Sequence, residues 1–82
     1  MSQPNWNPAI AAVPQLLDDL MWMGSVVYSG TTIEQYKHSA TRRYINLDGS
    51  GQAWQVQYTV DGDVGARRIP MADALAHVGS TP

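Results

Sequence analysis

The sequence contains no cysteine and no phenylalanine, and charged residues make up only 15% of it. Without cysteine there is no disulfide framework, no thiolate nucleophile and no cysteine-based zinc site. The start of the chain lacks the basic stretch and apolar run of a secretory signal, and Pro14, Asp18 and Asp19 interrupt its most apolar region. We therefore expect no membrane span and a cytoplasmic location, which suits a chain without cysteine.

Positive charge is also scarce, because five basic residues face seven acidic ones and give a net charge of −2. Binding to the phosphates of nucleic acids requires a basic surface, so the net charge disfavours general nucleic-acid binding. It does not exclude a local basic patch. The aromatic residues are three tryptophans and four tyrosines. Their polar ends suit half-buried rims and contact surfaces better than a dry core.

The 82 residues predict one domain at 8–79, between a polar tail at 1–7 and a short tail at 80–82. Pro8 and Pro14 predict a short first turn at 8–12 and a main helix at 14–23, which Gly24 ends as a cap. A short strand is expected at 26–28.

The stretch 31–40 permits two interpretations. Thr31 and Glu34 satisfy a helical capping box, whereas the β-branched and aromatic content favours a strand almost equally. We prefer a short helix. Strands are predicted at three further ranges, joined by Asp-Gly turns and followed by a helix after Pro70: 42–47, 52–60 and 63–69.

The predicted fold class is α+β: an N-terminal helix packed on a three- to four-stranded antiparallel meander, with a short C-terminal helix. The apolar face of the middle strand, which carries Trp54, Val56, Tyr58 and Val60, is expected to receive the N-terminal helix. The C-terminal helix is expected to contribute Met71, Leu75 and Val78 to the same core.

The predicted hairpin register decides which side chains share a face. A turn at Gly49–Ser50 pairs Ile45 with Trp54, and a turn over 61–63 pairs Gln57 with Arg67 and Val56 with Arg68. A two-residue second turn would exchange the faces of Arg67 and Arg68, so that alternative stays open.

Trp22 is the first candidate contact residue. On the predicted helix it lies opposite the apolar arc, and tryptophan is enriched among interface anchors. Together with Met21 and Trp6 it predicts a partner-binding surface. The alternative is that Trp22 packs under a loop or under the tail that carries Trp6.

A second candidate site is a row of polar residues on the exposed sheet face: Arg42, Gln57 and Arg67, beside Tyr44. Two arginines with an amide between them suit an anionic ligand or a nucleic acid. The alternative is an ordinary solvated sheet face, because the alternation of apolar and polar residues along a strand already places polar side chains there. We favour the solvated face.

Catalytic and metal-binding patterns are weak. Asp73 and His77 share a helix face, but they lack a nucleophile, and His38 lacks metal-ligand spacing. The Asp48 and Asp61 loops are explained by turn chemistry better than by calcium binding, and Asp18 and Asp19 point in different directions.

No cofactor is predicted, and we expect a non-catalytic protein-interaction module. It would act as a regulator or inhibitor by binding a partner protein, plausibly as a homodimer. The alternative function is nucleic-acid or anionic-ligand binding by the Arg/Tyr row.

Overall fold

The computed structural model describes residues 3–79, which form one five-stranded antiparallel sheet and three short helices. The strands follow one another across the sheet in chain order, so every connection is a hairpin or a short loop. The elements are α1 (Asn7–Ala12), a 3₁₀ helix (Pro14–Asp19), β1 (Leu20–Tyr28), β2 (Thr31–His38), β3 (Tyr44–Asp48), β4 (Ala53–Tyr58), β5 (Val64–Ile69) and α2 (Met71–Gly79). The α+β class is confirmed, with five strands instead of three or four.

The predicted main helix at 14–23 is wrong, because it stops at Asp19 as a 3₁₀ helix and the chain continues as β1. Burial along β1 alternates with a period of two, so that Leu20 and Trp22 face inward while Met21 and Met23 are exposed. Gly24 is therefore no helix cap. It belongs to a bulge, since Trp22 pairs with Tyr36 and Gly24 pairs with Gln35, which leaves Met23 as an extra residue.

The preference for a helix at 31–40 is also wrong, and the extended interpretation is correct. Ser29 and Gly30 both have positive φ, 51° and 81°, and they form a two-residue turn that matches the twist of paired strands. This turn places β2 beside β1, and the sheet therefore has five strands. The β-branched content of 31–33 thus outweighed the capping pattern.

The register of the β3–β4 hairpin differs by one residue from the prediction. The turn has three residues and ends at Gly51 with φ of 83°, so Trp54 pairs with Asn46 and Ala53 with Leu47. A one-residue shift moves every side chain of a strand to the other face. Trp54 consequently lies on the face opposite Ile45, where the sequence had placed the two together.

In the β4–β5 hairpin the predicted register is wrong by two residues, which preserves the faces. Gln55 pairs with Arg67 and Trp54 with Arg68, around a three-residue turn that ends at Gly62. The open question about the arginines is thereby answered: Arg67 shares a face with the glutamines of β4, and Arg68 shares one with Trp54.

The main core lies between the helices and the sheet face that carries Tyr36, which is fully buried. The buried residues of this core come from both layers: Ala9, Val13, Leu20, Tyr36, Ile45, Leu47, Ala53, Ala74 and Val78. The predicted packing of the N-terminal helix on the Trp54 face is therefore wrong, and Tyr58 and Val60 are exposed. Met71, Leu75 and Val78 of α2 do contact the core, as expected.

The other face of the sheet is concave. The rings of Tyr28 and Trp54 lie 6.5 Å apart although their strands are separated by two others, and the Tyr58 hydroxyl meets Oε1 of Gln35 across β3 at 3.2 Å. Strands β1 and β5 accordingly approach each other, with Cα atoms within 8 Å. This curvature buries Ile33 on the concave side, away from the helices.

We expect Gly24→Ala to lower the free energy of unfolding by about 1–3 kcal/mol, because φ of 141° is rarely adopted by residues with a Cβ. No atom lies within 4 Å of the added Cβ, so the penalty belongs to the backbone alone. Urea denaturation followed by circular dichroism measures it. Gly49→Ala, which is equally open and lacks positive φ, is the control and should leave stability unchanged or slightly raised. Equal effects of the two substitutions would contradict the assignment.

Candidate functional site

Trp22 is half-buried, and its indole is held by a carboxylate of the neighbouring strand. The indole Nε1 donates to Oε1 of Glu34 at 2.8 Å, and the Ser25 hydroxyl donates to the same oxygen at 2.7 Å. Glu34 is only 3% exposed, so these charge-assisted hydrogen bonds compensate for the burial of its carboxylate. Trp22 therefore fixes β1 to β2, and its predicted position on the polar side of a helix is wrong.

Three apolar side chains of β1 are exposed, and we call them together the β1 surface although they do not share one face: Met21 lies on the concave face, Val27 on the opposite face and Met23 at the bulge. Their exposed fractions are 45%, 46% and 66%. Within residues 3–79, β1 is hydrogen-bonded to β2 and to no other strand, although Cα atoms of β5 lie within 8 Å of it. Of the predicted partner-binding residues, Met21 lies on this surface. Met23, in the predicted helix, and Val27, in the strand predicted at 26–28, were not expected to be contact residues.

Trp6 lies on the helix-covered side of the sheet, against Tyr36, with ring centroids 5.3 Å apart. The Tyr36 hydroxyl donates to the carbonyl of Asn5, which ties the segment before α1 to β2. Burial raises the pKa of Tyr36 to about 12, with a further contribution from the negative charge of Glu34. Trp6 is half-buried here.

The predicted Arg/Tyr row is not assembled as a row. Arg42 lies in the loop between β2 and β3, with φ of 61°, and Tyr44 is on the face opposite Arg67 and Gln57. Gln57 pairs with Gly65, while Arg67 donates through Nε to Oε1 of Gln55 at 2.7 Å. Tyr44 and Arg67 nevertheless line one cavity, because β3 and β4 separate between them.

Asp48 is a buried carboxylate that organises the β3–β4 turn. It accepts hydrogen bonds from the amide and hydroxyl of Ser50, the amide of Gln52 and the indole of Trp54, at 2.8–3.0 Å. Burial alone would raise the pKa of Asp48, but the hydrogen bonds from Trp54, Ser50 and Gln52 outweigh it and hold the pKa below its ordinary value. Sequence reasoning recognised the turn chemistry of Asp48 but missed its bond to Trp54.

The histidines occupy structural positions. His38 accepts hydrogen bonds at Nδ1 from the amides of Ala40 and Thr41, which shapes the loop after β2. His77 and Asp73 lie on α2 beside the cavity between β3 and β4. Across the part of the chain that the structure describes, no group of three or more His, Cys, Asp or Glu side chains is arranged to hold a metal ion.

Comparison with protein-family models, with curated proteins and with solved structures finds no match to this chain. Among the helices within residues 3–79, none has the length and apolar content needed to cross a membrane.

We expect Asp48→Asn to lower the free energy of unfolding at pH 7 by about 1–3 kcal/mol, because the indole of Trp54 and the turn amides lose a charged acceptor. The folded pKa of Asp48 is depressed, so its contribution is complete above the unfolded pKa of about 3.9 and disappears as pH falls through the folded pKa. The variant should therefore lose less stability than the wild type on acidification.

Urea denaturation at pH 7 and at a series of acidic pH values measures this difference. Asp61→Asn removes an exposed carboxylate from the β4–β5 turn and should preserve the wild-type pH dependence. An unchanged pH dependence in Asp48→Asn would refute the assigned role of the carboxylate.

Proposed function

We propose that this chain is a small protein-binding module that acts through the outer edge of β1, and that its partner is a second copy of itself. The observation that carries the proposal is the composition of this edge, whose protection is limited to the bulge at Met23 and to the approach of β5. Leu20–Tyr28 contains neither a charged residue nor a proline, although natural edge strands use both to prevent pairing. The nine residues offer an edge of about 30 Å.

Self-pairing fits the chemistry of β1 because no charge would be placed against a like charge. An antiparallel pairing of two β1 strands about a two-fold axis is self-complementary, and it joins the two five-stranded sheets into one. Met21, Met23 and Val27 would lose solvent exposure there, which is the main favourable contribution to association. The backbone hydrogen bonds would supply the register.

The predicted contact residues have different roles in this proposal. Met21 contacts the partner directly, while Trp22 holds β1 in place through Glu34. Trp6 supports Tyr36 from the helix-covered side. The paired module would act as a regulator or inhibitor by binding rather than by catalysis, and a cytoplasmic location is part of the proposal.

The alternative, a nucleic acid or extended anion held by Arg42, Arg67, Tyr44 and Gln57, has weaker support. These residues do not share a face, and the net charge is negative. Binding of that kind would weaken steeply with salt and would weaken again in Arg67→Ala.

We expect the wild-type protein to sediment as a dimer and Val27→Lys to sediment as a monomer. Lysine at this position places two like charges near the paired edges and blocks the association. Sedimentation equilibrium over a range of protein concentrations measures the mass, and circular dichroism verifies that the variant folds.

Val60→Lys makes the same change at a fully exposed valine in the β4–β5 turn, outside β1, and should remain dimeric. A wild-type protein that stays monomeric at the highest reachable concentration would overturn the proposal. Dissociation by both lysine variants would also count against it, because charge alone would then explain the effect.

A further inference from the structure

A gap opens in the middle of the sheet. The β3–β4 ladder contains the pairs Leu47–Ala53 and Asn46–Trp54, and the strands separate beyond them. A cavity of about 340 Å³ occupies the gap, and α2 forms part of its wall. This volume lies in the range of small-molecule sites.

Backbone polar groups point into this gap. The amide of Asp48 donates to the carbonyl of Gln52, so the pairs that exchange hydrogen bonds are 48 with 52, 46 with 54 and, by alternation, 44 with 56. Tyr44 and Val56 are not paired in the described ladder, and the same alternation directs their N–H and C=O groups towards the gap. Backbone N–H and C=O groups without a ladder partner favour a polar ligand in the cavity.

The side chains around the gap combine aromatic surface with hydrogen-bonding groups. Tyr44 and Trp54 supply rings, while Arg67 and Asp73 supply opposite charges. Asn46 also lines the cavity. It is 7% exposed, its Nδ2 donates to the carbonyl of Trp54, and its Oδ1 has no hydrogen-bond partner among the described residues.

We propose that this cavity binds a free nucleobase or nucleoside that carries a lactam group, an N–H next to a C=O. The lactam replaces the missing ladder partner of Tyr44 and Val56, and the flat ring stacks on Tyr44. The ring offers acceptors to Arg67, whose Nε is already bound to Gln55, and the amino group of guanine or the ribose hydroxyls offer donors to Asn46 or Asp73. A neutral, dipolar ligand suits a wall that carries both charges.

Calorimetric titration with guanosine and with uridine tests the site, and amide chemical shifts locate it. We expect at least one of these nucleosides to bind and to shift the amides of Tyr44 and Val56. The N-methylated forms 1-methylguanosine and 3-methyluridine lack the lactam N–H and should bind about tenfold more weakly. Adenosine, which has no lactam, should bind more weakly than guanosine.

Tyr44→Ala should weaken binding about tenfold, because stacking on the ring is lost. Tyr58→Ala removes another exposed tyrosine of the concave face, outside the cavity, and should bind normally. If Tyr44→Ala does not fold, Arg67→Gln tests the site instead, at an exposed side chain, and should also weaken binding. Arg42→Gln is its control and should bind normally.

Absence of binding by both guanosine and uridine would overturn the proposal. Equal binding of the N-methylated nucleosides would overturn it too, because stacking alone would then account for the affinity. The oligomeric state does not enter these measurements, so their outcome is independent of the role proposed for β1.

Discussion

The rest of the sheet depends on the hydrogen bonds that converge on the Asp48 carboxylate. By accepting hydrogen bonds from Ser50 and Gln52, Asp48 stabilises a three-residue turn. The length of this turn determines which side chains of β4 share a sheet face with which side chains of β3. Its bond to the Trp54 indole then anchors that ring on the concave face. A turn shorter by one residue would exchange the two faces of β4 and direct Trp54 towards the helices.

Sequence reasoning identified the class of the fold and its C-terminal half because the signals there are local. The Asp-Gly turns, the alternation of β4 and the helix start at Pro70 each depend on a few adjacent residues. Register was harder, since Asp48 closes a three-residue turn through side-chain bonds that a turn motif does not specify. The N-terminal half was misread because Leu20–Met23 satisfies helical and strand periodicity equally, and the pairing with β2 decides between them.

The candidate sites were predicted to a smaller extent, because they depend on long-range placement. Met21 was expected at a contact surface and is exposed, yet the reason given, the helical position of Trp22, does not hold. Glu34 was regarded as a helix-capping residue, and nothing local indicates that its carboxylate accepts from Trp22 and Ser25. Tyr44 and Arg67 were expected on one face of the sheet, whereas they lie on opposite faces and line a gap between strands, which no sequence pattern describes.

The separation of β3 from β4 also divides the molecule mechanically. One unit contains β1, β2 and β3, and the other is the β4–β5 hairpin. Besides the contacts across the concave face, Tyr28 with Trp54 and Tyr58 with Gln35, the units are joined by the short ladder at Asn46 and Leu47 and by the packing of α2. Thr41, whose hydroxyl donates to the carbonyl of Val78, fastens the far end of α2 to the first unit. The hairpin is thus attached to the first unit at the short β3–β4 ladder and through α2. We expect its amide protons to exchange with solvent through local opening before the first unit unfolds.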